Sequence, residues 1–142
     1  MRPARALEPA MRQAFLLALI VTAGCGAVTP VRSGDASAGK KLFQTKCGSC
    51  HTLADAGTKG VVGPNLDNAF AFVKAQHFEE QTIRDVVRGQ IAYAEADPGT
   101  GTPKAPNPGM PPNLVKGQDA RDVSIYVAKC AAVPSCGVVA PQ

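Results

Sequence analysis

TKCGSCHTL, residues 45–53, places two cysteines three positions apart with a histidine directly after the second. Three chemistries use such a string. Two thiolates and an imidazole can ligate a metal ion. A dithiol can shuttle electrons through a disulfide. Two thiols can also be joined to the vinyl groups of a porphyrin while the imidazole ligates its iron. The rest of the chain has to choose among them.

Zinc asks for four ligands, commonly supplied by a second close pair of Cys or His. The next cysteines, Cys130 and Cys136, are six apart, and the second histidine, His77, stands alone. Zinc is therefore poorly supported. A redox Cys-x-x-Cys belongs after a strand in a βαβ frame. Here a helical pattern precedes the motif and no strand pattern stands out, so that reading is weak as well. Haem c attachment needs two thiols and a nitrogen ligand side by side. Cys47, Cys50 and His51 supply all three within a turn of chain.

An iron held by His51 has a sixth position to fill. Outside the first 24 residues the sequence has one methionine, Met110, in the stretch NPGMPP. A lone methionine is more often core filler. This one sits in a proline-braced loop with little apolar company, where packing gives small reason for it. Prolines on either side would hold its thioether at a set place with little ordering entropy. Thioether sulfur is a soft ligand that favours ferrous iron and raises the reduction potential. The rival, His77, lies among polar residues just before a helix and reads as surface.

Composition fits a cofactor-centred domain. The chain has 142 residues, no Trp, 5% aromatics, 14 Gly and 12 Pro. So small a stock of bulky apolar side chains makes a marginal core unless a cross-link or cofactor completes it. The formal charge of +4 is modest. Arg2, Arg5 and Arg12 against Glu8 put about half of it in the first 24 residues, and no basic run is interleaved with aromatics. Nucleic acid is therefore not an expected partner.

Residues 1–24 read as an export signal, with Met11 as an alternative start: Arg12 precedes the apolar run Phe15–Val21 and the small residues before Cys25. The run is too short for a permanent span. Ala23-Gly24-Cys25 resembles a lipoprotein signal, in which Cys25 would become the lipidated first residue. Ordinary cleavage nearby, for instance after Ala27, is the other reading. Residues 25–34 form a polar tether, 35–131 the domain and 132–142 a tail. Outside the cytoplasm, Cys130 and Cys136 are expected to form a disulfide, worth about 2 kcal/mol for so short a loop.

Four helices are expected. The first is capped by Asp35 or Ser37 and runs to about Lys46, with Gly39, Leu42, Phe43 and Cys47 on one side. The second runs from Asp67 to about Lys74. The third starts near Glu79, with Ile83, Val86, Val87 and Gln90 aligned. The fourth runs from Gly117 to about Cys130, with Val123, Tyr126, Val127 and Cys130 inward and Asp119, Arg121 and Asp122 toward water. Residues 52–66 read as loop, and 94–109 are too rich in Pro and Gly for regular structure.

Taken together, Cys47-x-x-Cys50-His51, Gly39 with Phe43, Gly63-Pro64-Asn65-Leu66, Met110-Pro111 and Tyr126 resemble the class I cytochromes c of the small bacterial, single-haem type. The resemblance covers roughly residues 35–131. It implies an all-α fold wrapped around one covalently bound haem c and its iron. It also implies crossing of the first and last helices at Gly39 and Tyr126, and a hydrogen bond from His51 to the Pro64 carbonyl. With both axial positions filled, by His51 and Met110, the expected role is one-electron transfer rather than catalysis. The alternative is a peroxidase or gas sensor with a displaceable distal ligand. Partners would be redox proteins or membrane respiratory complexes, met in the periplasm or at the outer face of the cytoplasmic membrane. Membrane attachment would come through a lipidated Cys25, and a monomer is expected. Lys46, Lys59, Lys104 and Lys116 are candidate docking cations. The 94–109 segment and the Cys130–Cys136 pair are additions to the family pattern.

Overall fold

The computed structural model describes residues 31–94, 109–133 and 135–141. The export segment, Cys25, Lys104 and most of the 94–109 stretch lie outside the described residues. The architecture is all-α, as the sequence pattern implies. Helix α1 spans Ala36–Leu42, α2 Leu66–Ala75, α3 Glu80–Tyr93 and α4 Gly117–Cys130. No helix among the described residues is long and apolar enough to cross a membrane.

The α1 start follows from Asp35, whose carboxylate accepts from the amides of Ser37 at 2.7 Å and Ala38 at 3.3 Å. Such a cap satisfies donors that the first turn cannot pair. The helix was expected to continue to about Lys46. Instead it ends at Leu42, and Phe43–Cys47 winds as a wider π-type turn closed by Gly48 N–H to the Phe43 carbonyl at 2.8 Å. Single turns of this kind re-aim the residues that follow and are frequent at functional sites.

The frame is the crossing of α1 over α4. A Cβ placed on Gly39 would lie 2.1 Å from the Asp122 carbonyl oxygen and 2.8 Å from Tyr126 Cβ. No side chain fits there, so glycine alone lets the two backbones approach this closely. Beside the crossing, the rings of Phe43 and Tyr126 lie 5.9 Å apart at 60°, a tilted pair, worth about 1 kcal/mol beyond simple burial.

Helix α4 keeps its expected limits but not its expected polarity. Residues 122–128 are all buried, because α1 crosses one side of α4 and α3 packs along another. Asp122, expected in water, is 5% exposed. Its carboxylate accepts from the Asp35 amide at 2.8 Å and from Gln118 Nε2 at 2.6 Å. The acid is retained in the interior because it anchors the entry of α1, and those two donors offset its desolvation.

Helix α3 also turns differently from expectation. Ile83 and Ile91 are buried, with Val87 half-buried between them. Val86 is 50% exposed and Gln90 is exposed. The face against the core therefore follows the i, i+4, i+8 row rather than the row through Val86 and Gln90.

Residues 52–66 are more ordered than a loop. Thr52–Leu53 (β1) pairs antiparallel with Thr58–Lys59 (β2), and a 3-10 turn, Ala54–Ala56, joins them. Asn65 caps α2 through the amides of Asp67 and Asn68. The helix ends in a Schellman turn: Phe78 N–H reaches the Val73 carbonyl and His77 takes φ +56°.

The tail folds back. Cys130 and Cys136 are joined by a disulfide with Cα atoms 5.0 Å apart. Beyond it, Val138 is buried and its carbonyl accepts from Lys40 Nζ at 2.6 Å.

Candidate functional site

The π-type turn delivers Cys47 into the apolar cluster, where it is buried in one group with residues that include Phe43, Leu53, Ile91 and Val115. The chain then closes a tight turn, with the amides of Cys50 and His51 both donating to the Cys47 carbonyl at 3.0 and 2.9 Å. This places Cys47, Cys50 and His51 around one turn, with Cys50 and His51 half-buried. Both thiols are free.

The imidazole is fixed by a backbone partner. His51 Nδ1 lies 2.9 Å from the Pro64 carbonyl oxygen. A carbonyl can only accept, so Nδ1 carries the proton and Nε2 keeps its lone pair. That leaves one nitrogen of fixed orientation able to ligate, with its basicity raised by the bond behind it.

The 60–63 loop presses on this turn. A Cβ on Gly60 would sit 2.4 Å from the Cys50 carbonyl carbon, and one on Gly63 would sit 2.5 Å from His51 Cε1. The Gly63 amide also donates to the Cys50 carbonyl at 2.8 Å.

Met110 packs half-buried against the same cluster that holds Cys47. Core contact therefore does contribute to its position, contrary to the expectation from its loop. Asn113, at φ +59°, fixes the following residues: its amide donates to the Ile91 carbonyl at 2.7 Å and its side chain to Ala92 at 3.2 Å. The Met110-Pro111-Pro112 loop is thereby tied to the end of α3. His77 is exposed at the α2–α3 turn.

Two polar hubs around the site were not anticipated from the sequence. Asp55, in the 3-10 turn after the motif, accepts from Tyr126 Oη at 2.8 Å and pairs with Lys40 at 3.1 Å. Burial and the Asp55 hydrogen bond hold the Tyr126 phenol well above its ordinary range. Asp67 accepts from the amides of Ala54 at 2.8 Å and Ala132 at 2.9 Å. Each acid joins segments more than ten residues apart, and no local pattern announces such partners.

The donor set separates the three chemistries. Burial, with neighbouring Cys50 adding to it, pushes the Cys47 thiol up to about 11. A disulfide-exchanging pair works through a depressed thiol, so this environment opposes shuttle chemistry. Zinc lacks further ligands among the described residues: His77 is exposed, and Cys130 and Cys136 are bonded to each other. Two free thiols and an imidazole with a free Nε2, set against an apolar wall, fit a covalently held haem.

Comparison with known proteins gives the same answer. The cytochrome c family matches residues 36–131. Cytochrome c of Gossypium barbadense is 32% identical over 114 residues, covering 70% of this chain and 93% of that one. Cytochrome c of Nigella damascena is 29% identical over 115 residues, covering 70% and 94%. That of Cannabis sativa is 30% identical over 115 residues, covering 70% and 93%. The chain belongs to the cytochrome c family. Its cofactor is accordingly covalently bound haem c with iron, and its role is that of a haem-based electron carrier.

Proposed function

We propose that this protein carries single electrons between redox partners outside the cytoplasm, with its iron ligated by His51 and Met110. The observation that carries the reading is the His51 Nδ1–Pro64 bond, which leaves Nε2 as a fixed lone pair beside two free thiols. Cys47 and Cys50 would hold haem c through thioether bonds. Haem c supplies the one-electron change between ferric and ferrous iron. His51 contributes a nitrogen ligand of set orientation, and Pro64 keeps the ring from rotating. Met110 contributes a thioether, held by contact with the core and by the Asn113 anchor on α3. Buried Phe43, Leu53, Ile91 and Val115 make one wall dry, which favours the less charged state of a buried centre.

With His51 and Met110 both holding the iron, no position would be open for a substrate, so the protein would act as a carrier rather than an enzyme. The export signal and the Cys130–Cys136 disulfide suit an oxidising compartment. They support the bacterial type, in the periplasm or at the outer face of the membrane, anchored through a lipidated Cys25. The partners are redox proteins or membrane respiratory complexes, and the working form is a monomer.

The deciding experiment uses protein from an export-competent, haem-maturing host. A ferric methionine–iron charge-transfer band that disappears in Met110→Ala is the expected result. Rapid carbon monoxide binding by the unmodified ferrous protein would instead establish a gas-binding or peroxidase-like site. Mass spectrometry of the mature N-terminus tests the anchor: an acylated Cys25 is expected, and an unmodified terminus beyond it removes the anchor.

A further inference from the structure

We propose that Cys130, Cys136 and Asp55 form a second, thiol-gated metal site, which takes a zinc ion when the Cys130–Cys136 disulfide is reduced. This site lies beyond the electron-carrier reading and stands without it.

A carboxylate oxygen of Asp55 and the sulfurs of Cys130 and Cys136 lie within 4.8 Å of one another. A disulfide is uncharged and donates no hydrogen bond, so it gives a carboxylate no reason to stand beside it. The contacts already described do not use up Asp55. Tyr126 Oη and Lys40 Nζ both approach its Oδ2. Among the described residues no donor reaches Oδ1, which remains to bind a cation.

Two of the three ligands are held in place. Asp55 is locked by those contacts in the 3-10 turn, which ends at Gly57 with φ +68°. Cys130 is fully buried at the end of α4. The amides just beyond it, of Ala131 and Ala132, donate to the Val127 carbonyl and to Asp67, each at 2.9 Å. Cys136 arrives on the returning tail, half-buried and followed by Gly137 at φ +73°. It is the member able to step back when the S–S bond breaks. Around a tetrahedral zinc, with Zn–S of about 2.3 Å and Zn–O of about 2.0 Å, neighbouring ligand atoms stand about 3.5–3.8 Å apart. The two sulfurs must part to that spacing, and Asp55 is already near it.

Charge and softness select the ion. Two thiolates crowded against a carboxylate repel one another unless a cation lies between them. Thiolate ligands disfavour calcium and magnesium, and a mixed set of two sulfurs and one oxygen suits zinc, with water in the fourth position. The steps balance. An exported dithiol protein passes two electrons and two protons to the disulfide, leaving two Cys–SH groups and becoming a disulfide itself. Zinc then displaces both thiol protons and joins Asp55. The ion replaces the cross-link, so the tail stays joined to α4 in either thiol state.

The test uses the full-length holoprotein, in which Cys47 and Cys50 are engaged by haem. It is reduced with a water-soluble phosphine, desalted and given zinc alone in the absence of air. Reduced wild type should retain one zinc per haem after gel filtration, and the oxidised protein none. Zinc-edge X-ray absorption should show two sulfurs at about 2.3 Å. Cys136→Ser should lose the ion. Asp55→Asn should bind it at least about tenfold more weakly, the loss that even an indirect partner of a ligand brings. No zinc on the reduced protein would overturn the site, whether the protein stays folded or unfolds on reduction. So would an absorption spectrum without sulfur, or unchanged affinity in Asp55→Asn. Retention by Cys130→Ser/Cys136→Ser equal to wild type would place the ion at Cys47, Cys50 and His51 of chains lacking haem, and would also overturn it. The carrier reading is judged separately, by the haem count and the methionine–iron band.

Discussion

The hydroxyl of Tyr126 donates to the Asp55 carboxylate across 2.8 Å, joining the last helix to the turn that follows His51. The same carboxylate pairs with Lys40 of α1. One acid thus ties both crossing helices to the segment carrying His51.

Tyr126→Phe removes one hydrogen bond and leaves the Lys40 pair in place. A loss of about 1–2 kcal/mol is expected, read from urea unfolding of the holoprotein. The pH dependence has a definite sign. The folded-state phenol is raised above its unfolded value of about 10. The stability it contributes is complete below that pH and is lost progressively above it, because only the unfolded chain ionises there. Wild type should therefore weaken above about pH 10, and Tyr126→Phe should weaken less steeply. Equal alkaline slopes would remove the linkage.

Gly39→Ala places a methyl group 2.1 Å from the Asp122 carbonyl oxygen. That neighbour is backbone of a buried helix, so α1 and α4 must separate. Overpacking of this kind costs about 3 kcal/mol or more. A melting temperature unchanged by the substitution would show that the crossing is looser than described.

Replacing Cys130 and Cys136 together by serine opens the loop that returns the tail to the core. About 2 kcal/mol should be lost. Amides near Val138 should also exchange faster, because the Lys40 contact to its carbonyl is then held by the tail alone. Unchanged exchange there would show that the tail docks without the cross-link.

Asp67→Ala strips the acceptor from two amides, Ala54 and Ala132. Two hydrogen bonds to one charged group predict a loss of about 2–4 kcal/mol. Asp67→Asn should recover part of it, because one amide oxygen remains to accept. Equal stability of the alanine and asparagine variants would argue against this role.

The residues that made the fold legible are those whose partners are near in sequence. Asp35 announces α1 because its carboxylate reaches amides two and three residues on. The limits of α4 follow from Gly117 and the spacing of Val123, Tyr126 and Val127. The attachment string is contiguous, so it could be read whole, while its ligand roles remain proposals. Asp122 was misplaced because its burial depends on the Asp35 amide, 87 positions away. Val86 was misplaced because a spacing of three or four fits two rows of a helix, and only the packing of α3 on α4 selects between them. The π-type turn at Phe43–Cys47 leaves no compositional mark at all.

Helix α2 carries no fully buried side chain. It is held to its surroundings by the half-buried Leu66 and Phe70 against the core and by polar threads: the double bond of Asp67 and the Lys74 ammonium on the Lys129 carbonyl at 3.0 Å. The hierarchy of opening follows. Amides of α2 should surrender their protons to solvent through a local excursion, while those at the α1–α4 crossing wait for the whole molecule to come apart. The polypeptide on the Pro64 side of His51 thus breathes on a faster clock than the interlocked helices behind it.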